Sequence, residues 1–231
     1  MKNTIPSIKK VSLLTDKAIL FHSLTGKDSM VLLDLIYPYF KEIICVFMFV
    51  VPNLDYNEKY KLYIKSKYPK VTKIIDTPHY SLPSWIKHGA YGCKKDLTVH
   101  KFSVQQINEY IRASNEGFEW TFYGFKQSDS MNRRLMLRTY EDNIINYKTK
   151  KCYPLSEWRN KDVLAYNQLK GLIKPMSYNA GQTSGDDVSN IDYLLWVKEN
   201  SPDDLDKIFA LFPMVKTKLF EYEYQKTIET V

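Results

Sequence analysis

A chain of 231 residues, 44% of them hydrophobic, is long enough for one α/β domain with a sizeable core and too apolar for intrinsic disorder. Its net charge of +7 favours an anionic partner without choosing among nucleotide, nucleic acid and acidic protein. The sequence has no apolar run of transmembrane length and no signal-peptide core, and its cysteines (Cys45, Cys93 and Cys152) are few and scattered, so we expect reduced thiols, a cytoplasmic setting and no membrane contact.

In chain order, Ala18 to Phe21 is short and apolar, as a buried strand would be. A helix is expected from Met30, with Val31 and Leu35 sharing a face and Pro38 near its end. Glu42 to Val51 reads as a second buried strand, broken by Pro52 and Asn53. Asn57 to Tyr68 reads as a helix and Val71 to Ile75 as a third strand. Pro78 to Gly92 reads as a loop or short helix carrying His79, Trp85 and His88. A helix over Val104 to Ser114, a fourth strand over Trp120 to Tyr123 and a helix through Arg138 follow. Cys152 to Leu155 suggests a short edge strand, and Lys161 to Lys170 a helix. From Ser189 the chain has no strand signal: Asn190 to Lys198 reads as one helix, Ser201-Pro202-Asp203-Asp204 as a strong start of a short second one, and Pro213 separates it from a last helix to about Ile228.

Strands alternating with helices predict an α/β fold: a mostly parallel twisted sheet, Rossmann-like, with helices on both faces and a helical C-terminal extension. The expected division is residues 1–180 for the sheet domain and 181–231 for the extension. Ligands in such sheets lie beyond the C-terminal ends of the strands. Ser23 to Ser29, Pro52 to Tyr56 and Gly124 to Arg134 should therefore converge.

The first of these, Ser23-Leu24-Thr25-Gly26-Lys27-Asp28-Ser29, sits between an expected strand and an expected helix. A glycine there admits close backbone approach, a helix N-terminus favours an anion and Lys27 adds a cation, a combination suited to phosphate. The same residues also make ordinary caps and turns. The spacing is not that of a Walker A loop. In the third segment, Lys126, Arg133 and Arg134 bring cations to the same edge, and Asp129 and Ser130 are cap candidates. Tyr153 to Tyr166 reads by itself as a packing motif.

Together the three stretches resemble the phosphoadenosine phosphosulfate (PAPS) reductase family of the PP-loop superfamily, the adenine nucleotide alpha hydrolases. Gly26, Lys27, Asp28 and Ser29 match the last four positions of the family loop S-G-G-K-D-S. Gly124, Lys126, Asp129, Ser130 and Arg133 follow G-x-R-x-x-E-S-x-x-R with two conservative changes. Pro154, Leu155, Trp158, Asp162, Val163 and Tyr166 meet P-L-x-x-W-x-x-x-D-V-x-x-Y in full. The resemblance covers roughly Ala18 to Tyr178. It implies an adenine nucleotide, ATP or PAPS, bound by Ser23, Thr25, Gly26, Lys27, Asp28, Ser29, Gly124, Lys126, Asp129, Ser130 and Arg133. Lys27 and Arg133 would be the catalytic cations, with Mg²⁺ arriving with ATP and no metal held by protein ligands alone.

Departures from the family narrow the chemistry. Leu24 and Thr25 replace the first Ser and Gly of the loop, and Val51-Pro52-Asn53 stands where the family often has Asp-Thr-Gly. A side chain at Thr25 would resist a positive φ and reshape the loop. PAPS reductases resemble one another in a C-terminal cysteine nucleophile, and no cysteine follows Cys152. The iron–sulfur branch uses a Cys-Cys pair and a later Cys-x-x-Cys, and here only Gly92-Cys93 and Ser184-Gly185-Asp186 stand at those places, so no cluster is expected. The resemblance then implies ATP α–β cleavage or adenylyl transfer, as in the small subunit of ATP sulfurylase. The alternative is a degenerate binding or structural protein on the same fold, such as a phage-particle component, located in a host cytoplasm or virion. Its C-terminal helices would dock a protein partner or a second copy. Nucleic-acid modification is disfavoured, because neither paired cysteines nor an added RNA-binding module is visible.

Overall fold

The computed structural model describes residues 2–23, 25–173 and 187–229. Two compact units divide the chain. The first comprises Met1–Met48, Tyr60–Thr77 and Gln105–Lys174; the second comprises Phe49–Lys59, Pro78–Val104 and Pro175–Val231. The expected boundary at residues 180 and 181 lies outside the described residues, as do Leu24 and Ser184 to Asp186.

A six-stranded sheet is formed by β1 (Lys17–His22), β2 (Glu42–Phe49), β3 (Val71–Pro78), β4 (Thr121–Tyr123), β5 (Ile145–Asn146) and β6 (Lys151–Cys152), in the order β3-β2-β1-β4-β6-β5. The pairs β1–β2, β1–β4 and β4–β6 are parallel, and β5 runs antiparallel to β6. Ala18 through His22 are buried without alternation. Both faces of β1 are therefore covered, which is why it reads as a continuous apolar run. The Cys152 segment is not the edge that the sequence suggests. β5 takes that place, because the chain turns back at Asn146 to Lys151 and adds one more strand outside β6.

Helix α1 (Thr4–Ser12) precedes the sheet and has no counterpart among the expected elements; it buries Thr4, Ser7, Ile8 and Val11 along one face. Helix α2 (Lys27–Ile36) begins three residues earlier than the apolar spacing suggests, so the charged residues of the loop motif form its first turn. Helices α3 (Asp55–Lys67), α4 (Leu82–His88), α5 (Val104–Ala113), α6 (Met131–Leu137) and α7 (Asn160–Leu169) follow the sequence closely. Asp34 of α2 accepts hydrogen bonds from the Tyr68 hydroxyl at 3.0 Å and the Tyr166 hydroxyl at 2.8 Å. Tyr166, the last residue of the third motif, thereby ties α7 to α2.

Trp158 confirms the packing character of that motif. It is 4% exposed, packs edge-on against Tyr166, and donates its indole N–H to the Thr4 hydroxyl at 2.8 Å. Thr4 in turn donates to the Pro154 carbonyl at 2.9 Å. Asp162 accepts from the Arg159 N–H at 2.8 Å and so caps α7.

In the second unit, α8 (Ile191–Asn200), α9 (Pro202–Leu211) and α10 (Pro213–Glu229) form the helical C-terminal part. Asp204 is fully buried and caps the first turn of α3. Its two oxygens accept from the Asp55 N–H at 2.7 Å and the Tyr56 N–H at 2.9 Å, while Lys207 donates to it at 2.9 Å. A carboxylate there satisfies two of the amides that every helix start leaves open. Among the described residues, no helix is long and apolar enough to cross a membrane.

Candidate functional site

The sheet order determines where the loops meet. From β1 the chain moves outward to β2 and β3, then returns to β4 on the other side of β1. The β1/β4 boundary is thus the topological switch point, where connections leave in opposite directions and open a crevice at the strand ends. The loops that follow β1 and β4 carry the first two motifs.

The first loop closes tightly. The Ser23 N–H donates to the Ser29 hydroxyl at 2.9 Å, and the Gly26 N–H donates to the Ser23 carbonyl at 3.0 Å. Gly26 has φ −84° and ψ 125°, an extended conformation open to any residue. What Gly26 provides is space, since a Cβ there would lie 2.9 Å from Ser23 Cβ. The α2 amides begin directly after it, with their partial positive charge.

The second loop comes within contact of the first. A Cβ on Gly124 would meet Asp28 Cβ at 3.3 Å, so a side chain there would press the loops apart. Lys126, only 2% exposed, donates to Asp28 Oδ1 at 2.6 Å and pairs with Asp129 Oδ1 at 3.1 Å. Its own N–H is accepted by Asp129 Oδ2 at 2.9 Å. Arg133 Nη1 donates to the same Asp129 oxygen at 2.7 Å, and its guanidinium lies 4.1 Å from the Phe125 ring centroid. Burial opposes ionisation of Asp129, yet the Lys126 amide and ammonium and the Arg133 guanidinium hold its carboxyl below the usual range. Ser130 is the N-cap of α6, accepting from the Arg133 N–H at 3.2 Å. Lys27 is 6% exposed, with its ammonium 3.3 Å from Asp28 Oδ2.

Lys27, Asp28, Lys126, Asp129 and Arg133 thus form one chain of ion pairs linking the two loops. Pro52 to Tyr56, the remaining segment expected at the strand ends, belongs to the second unit, where its backbone is capped by Asp204. Two polar groups at the strand ends escaped the sequence reading. His22 is 2% exposed with both ring nitrogens unpartnered, and burial holds its pKa down at about 3. The Tyr123 hydroxyl is also buried without a partner. Neither carries a sequence signal, because a lone His or Tyr at a strand end is an ordinary core residue.

The described residues include no group of three or more His, Cys, Asp or Glu side chains placed to hold a metal ion. All three thiols are free and buried, and burial pushes each of them up from its usual pKa. The local lysines next to Cys93 and Cys152 do not offset that burial.

Residues 18–189 match the phosphoadenosine phosphosulfate reductase domain, well over half of the chain. No curated protein matches the chain in sequence. Among solved structures, the fold is similar to a phosphoadenylyl-sulfate (PAPS) reductase from Candida auris in a phosphate complex. That pair has a TM-score of 0.50 and 15% identity over 79% of this chain and 87% of that one. An NH3-dependent NAD synthetase from Campylobacter jejuni in complex with nitrate aligns with a TM-score of 0.49 and 14% identity, over 97% of this chain and 93% of that one. The U34-tRNA thiolase of Methanococcus maripaludis, with its 4Fe-4S cluster, aligns with a TM-score of 0.47 and 14% identity, over 94% of this chain and 78% of that one. By this match over most of its length, the chain belongs to the phosphoadenosine phosphosulfate (PAPS) reductase domain family.

Proposed function

We propose that the chain binds an adenine nucleotide at the β1/β4 switch point and, if catalytic, transfers an adenylyl group rather than reducing PAPS through a thiol. The observation that carries this reading is the meeting of the two motif loops, joined by the 2.6 Å bond from Lys126 to Asp28 in the first turn of α2. Phosphates would rest on the α2 amides and on Gly26 to Ser29, with Ser23 and Thr25 shaping the loop. Gly124, Lys126, Asp129 and Ser130 would fix the facing loop. Lys27 and Arg133 would neutralise charge that grows on the α-phosphate and the leaving pyrophosphate. In that reaction an anionic oxygen of the acceptor attacks the α-phosphorus, the α–β bridging bond breaks, and pyrophosphate leaves with its electron pair. An acceptor already ionised needs no general base.

Mg²⁺ suits the site as a companion of ATP, held mainly by phosphates and water, with Asp28 as an outer acceptor. Asp28 is about one-quarter exposed and so has a side open to solvent. Calorimetry with ATP, PAPS and adenylyl sulfate, with and without Mg²⁺, tests the binding, and pyrophosphate release from ATP tests the chemistry. Binding of one of these nucleotides is expected; absence of heat for all three would reject the reading.

A second reading, a degenerate binding or structural protein, is favoured by the ion pairs themselves. Asp28 and Asp129 already occupy Lys126 and Arg133, so an arriving phosphate would have to compete with internal carboxylates. In that case residues 181–231 would form the extension through which a protein partner or a second copy docks, attached to a nucleotide-binding domain of residues 1–180.

A further inference from the structure

The N-terminal ends of the strands carry a second cationic feature. A cleft of about 480 Å³ is lined by Arg112 and Ala113 at the end of α5, Gly117 to Glu119 before β4, and Lys148 to Lys150 in the turn before β6. The motif loops lie at the opposite strand ends, and the six residues of β1 span about 20 Å.

Arg112 dominates the wall. Its Nη1 donates to the Thr149 carbonyl at 3.1 Å. Nη2 donates to the Lys150 carbonyl at 2.8 Å and the Thr121 hydroxyl at 2.9 Å, and Nε to the same hydroxyl at 3.3 Å. All these acceptors are neutral, and no carboxylate pairs with Arg112 among the described residues. A guanidinium has five N–H groups, so one on Nη1 remains after these four bonds. Burial pushes Arg112 below its usual pKa, against the weaker opposing pull of Tyr123, Glu119 and Glu109. The neighbouring Lys151 is shifted down too, first by burial and then by Arg112.

The rest of the wall supplies complementary chemistry. The Thr149 hydroxyl is buried with no hydrogen-bond partner. Lys148 is exposed and has no ion pair among the described residues. Lys150 is paired with Glu119, and Lys17 with Glu42 at 3.3 Å, so neither adds a free charge. Arg112 and Lys148 are left as the cations of the wall that form no ion pair with a carboxylate among the described residues.

We propose that this cleft is a second anion site, taking the phosphate group of a small phosphorylated molecule through Arg112, Thr149 and Lys148. Its volume lies in the range of small-ligand pockets. A nucleic-acid backbone would need a cationic track, which Glu119 and Glu42 interrupt.

Amide NMR locates the site, since Gly26 and Gly124 report on the loops and Gly117, Glu119 and Thr149 on the cleft. Titrating inorganic phosphate and adenosine 5′-monophosphate should shift the cleft amides saturably. Lys148→Glu and Thr149→Val, which leave the Arg112 bonds to backbone carbonyls in place, should each weaken the cleft response, by about tenfold or more for the charge reversal. The Gly26 and Gly124 responses should not change with these variants. No saturable shift in the cleft, or equal affinity in wild type and Lys148→Glu, would overturn the proposal. So would a short oligothymidylate that binds the cleft far more tightly than either small probe, because that would make it a nucleic-acid surface.

Discussion

Lys27 carries both the main functional claim and a packing role. It is nearly buried, so its aliphatic stem fills space while its ammonium stays beside Asp28. Lys27→Met keeps most of the stem and deletes the charge. A charge-assisted bond to phosphate is worth ~1.5–3 kcal/mol, so the variant should bind ATP about ten- to a hundredfold more weakly. Calorimetry checks this, and an unchanged Kd would remove Lys27 from the site. His22 poses a different problem. Burial lowers its folded pKa to about 3, whereas an unfolded histidine titrates near 6.5. Between those values the unfolded chain binds the extra proton, so stability rises with pH across this window and falls as pH drops below about 6.5. The half-buried His79 is shifted in the same direction by burial and adds to the same slope. Carboxylates held low, such as Asp129 and Asp204, act only at more acidic pH. Melting curves at pH 7 and pH 5 should therefore differ less for His22→Leu than for wild type. Equal differences would show that His22 finds a partner or protonates in place.

Element by element, the third motif acts as a brace. Trp158 packs on Tyr166 and reaches Thr4 of α1, while Tyr166 reaches Asp34 of α2. Trp158→Ala should cost about 3–5 kcal/mol, as truncation of a large core aromatic does. Trp158→Phe keeps much of the ring but leaves the Thr4 hydroxyl without its donor, and should cost less, about 1–3 kcal/mol. Urea titrations of both variants check the order, and a wild-type midpoint for Trp158→Ala would mean that the indole contributes no net packing. Asp204 does similar work in the second unit by joining α9 to the start of α3.

For the molecule as a whole, the fold supplies the family's loop crevice without an accessible thiol. Cys45, Cys93 and Cys152 are all buried with raised pKa values, and a nucleophilic thiolate needs an open, cationic setting. The native protein should resist thiol reagents that label all three cysteines once it is unfolded. It should also release no sulfite from PAPS with reduced thioredoxin, even where PAPS binds. Turnover in wild type that disappears in a Cys93→Ser, Cys152→Ser double variant would reveal a relocated nucleophile.

Local pattern alone was enough for β1, β2 and most helices, because each is a continuous apolar run or a 3.6-residue stripe bounded by Gly, Pro or a cap. The three motifs were legible for the same reason: their spacing lies within single segments. What depended on tertiary structure was everything set by partners distant in sequence. β5 contributes only two strand residues and has no pattern of its own; it exists because β6 offers it an edge. Helix α1 came to light only where it packs, with Thr4 meeting Trp158. The sequence marks Gly26 as a point of close approach, but only the fold shows what approaches Gly26 and Gly124, Ser23 and Asp28 respectively. The cations of the two motifs read as free phosphate ligands in the sequence, whereas folding pairs Lys126 and Arg133 with Asp28 and Asp129. Residue identity sets which charges are present, but only the meeting of loops 98 positions apart decides which of them neutralise one another.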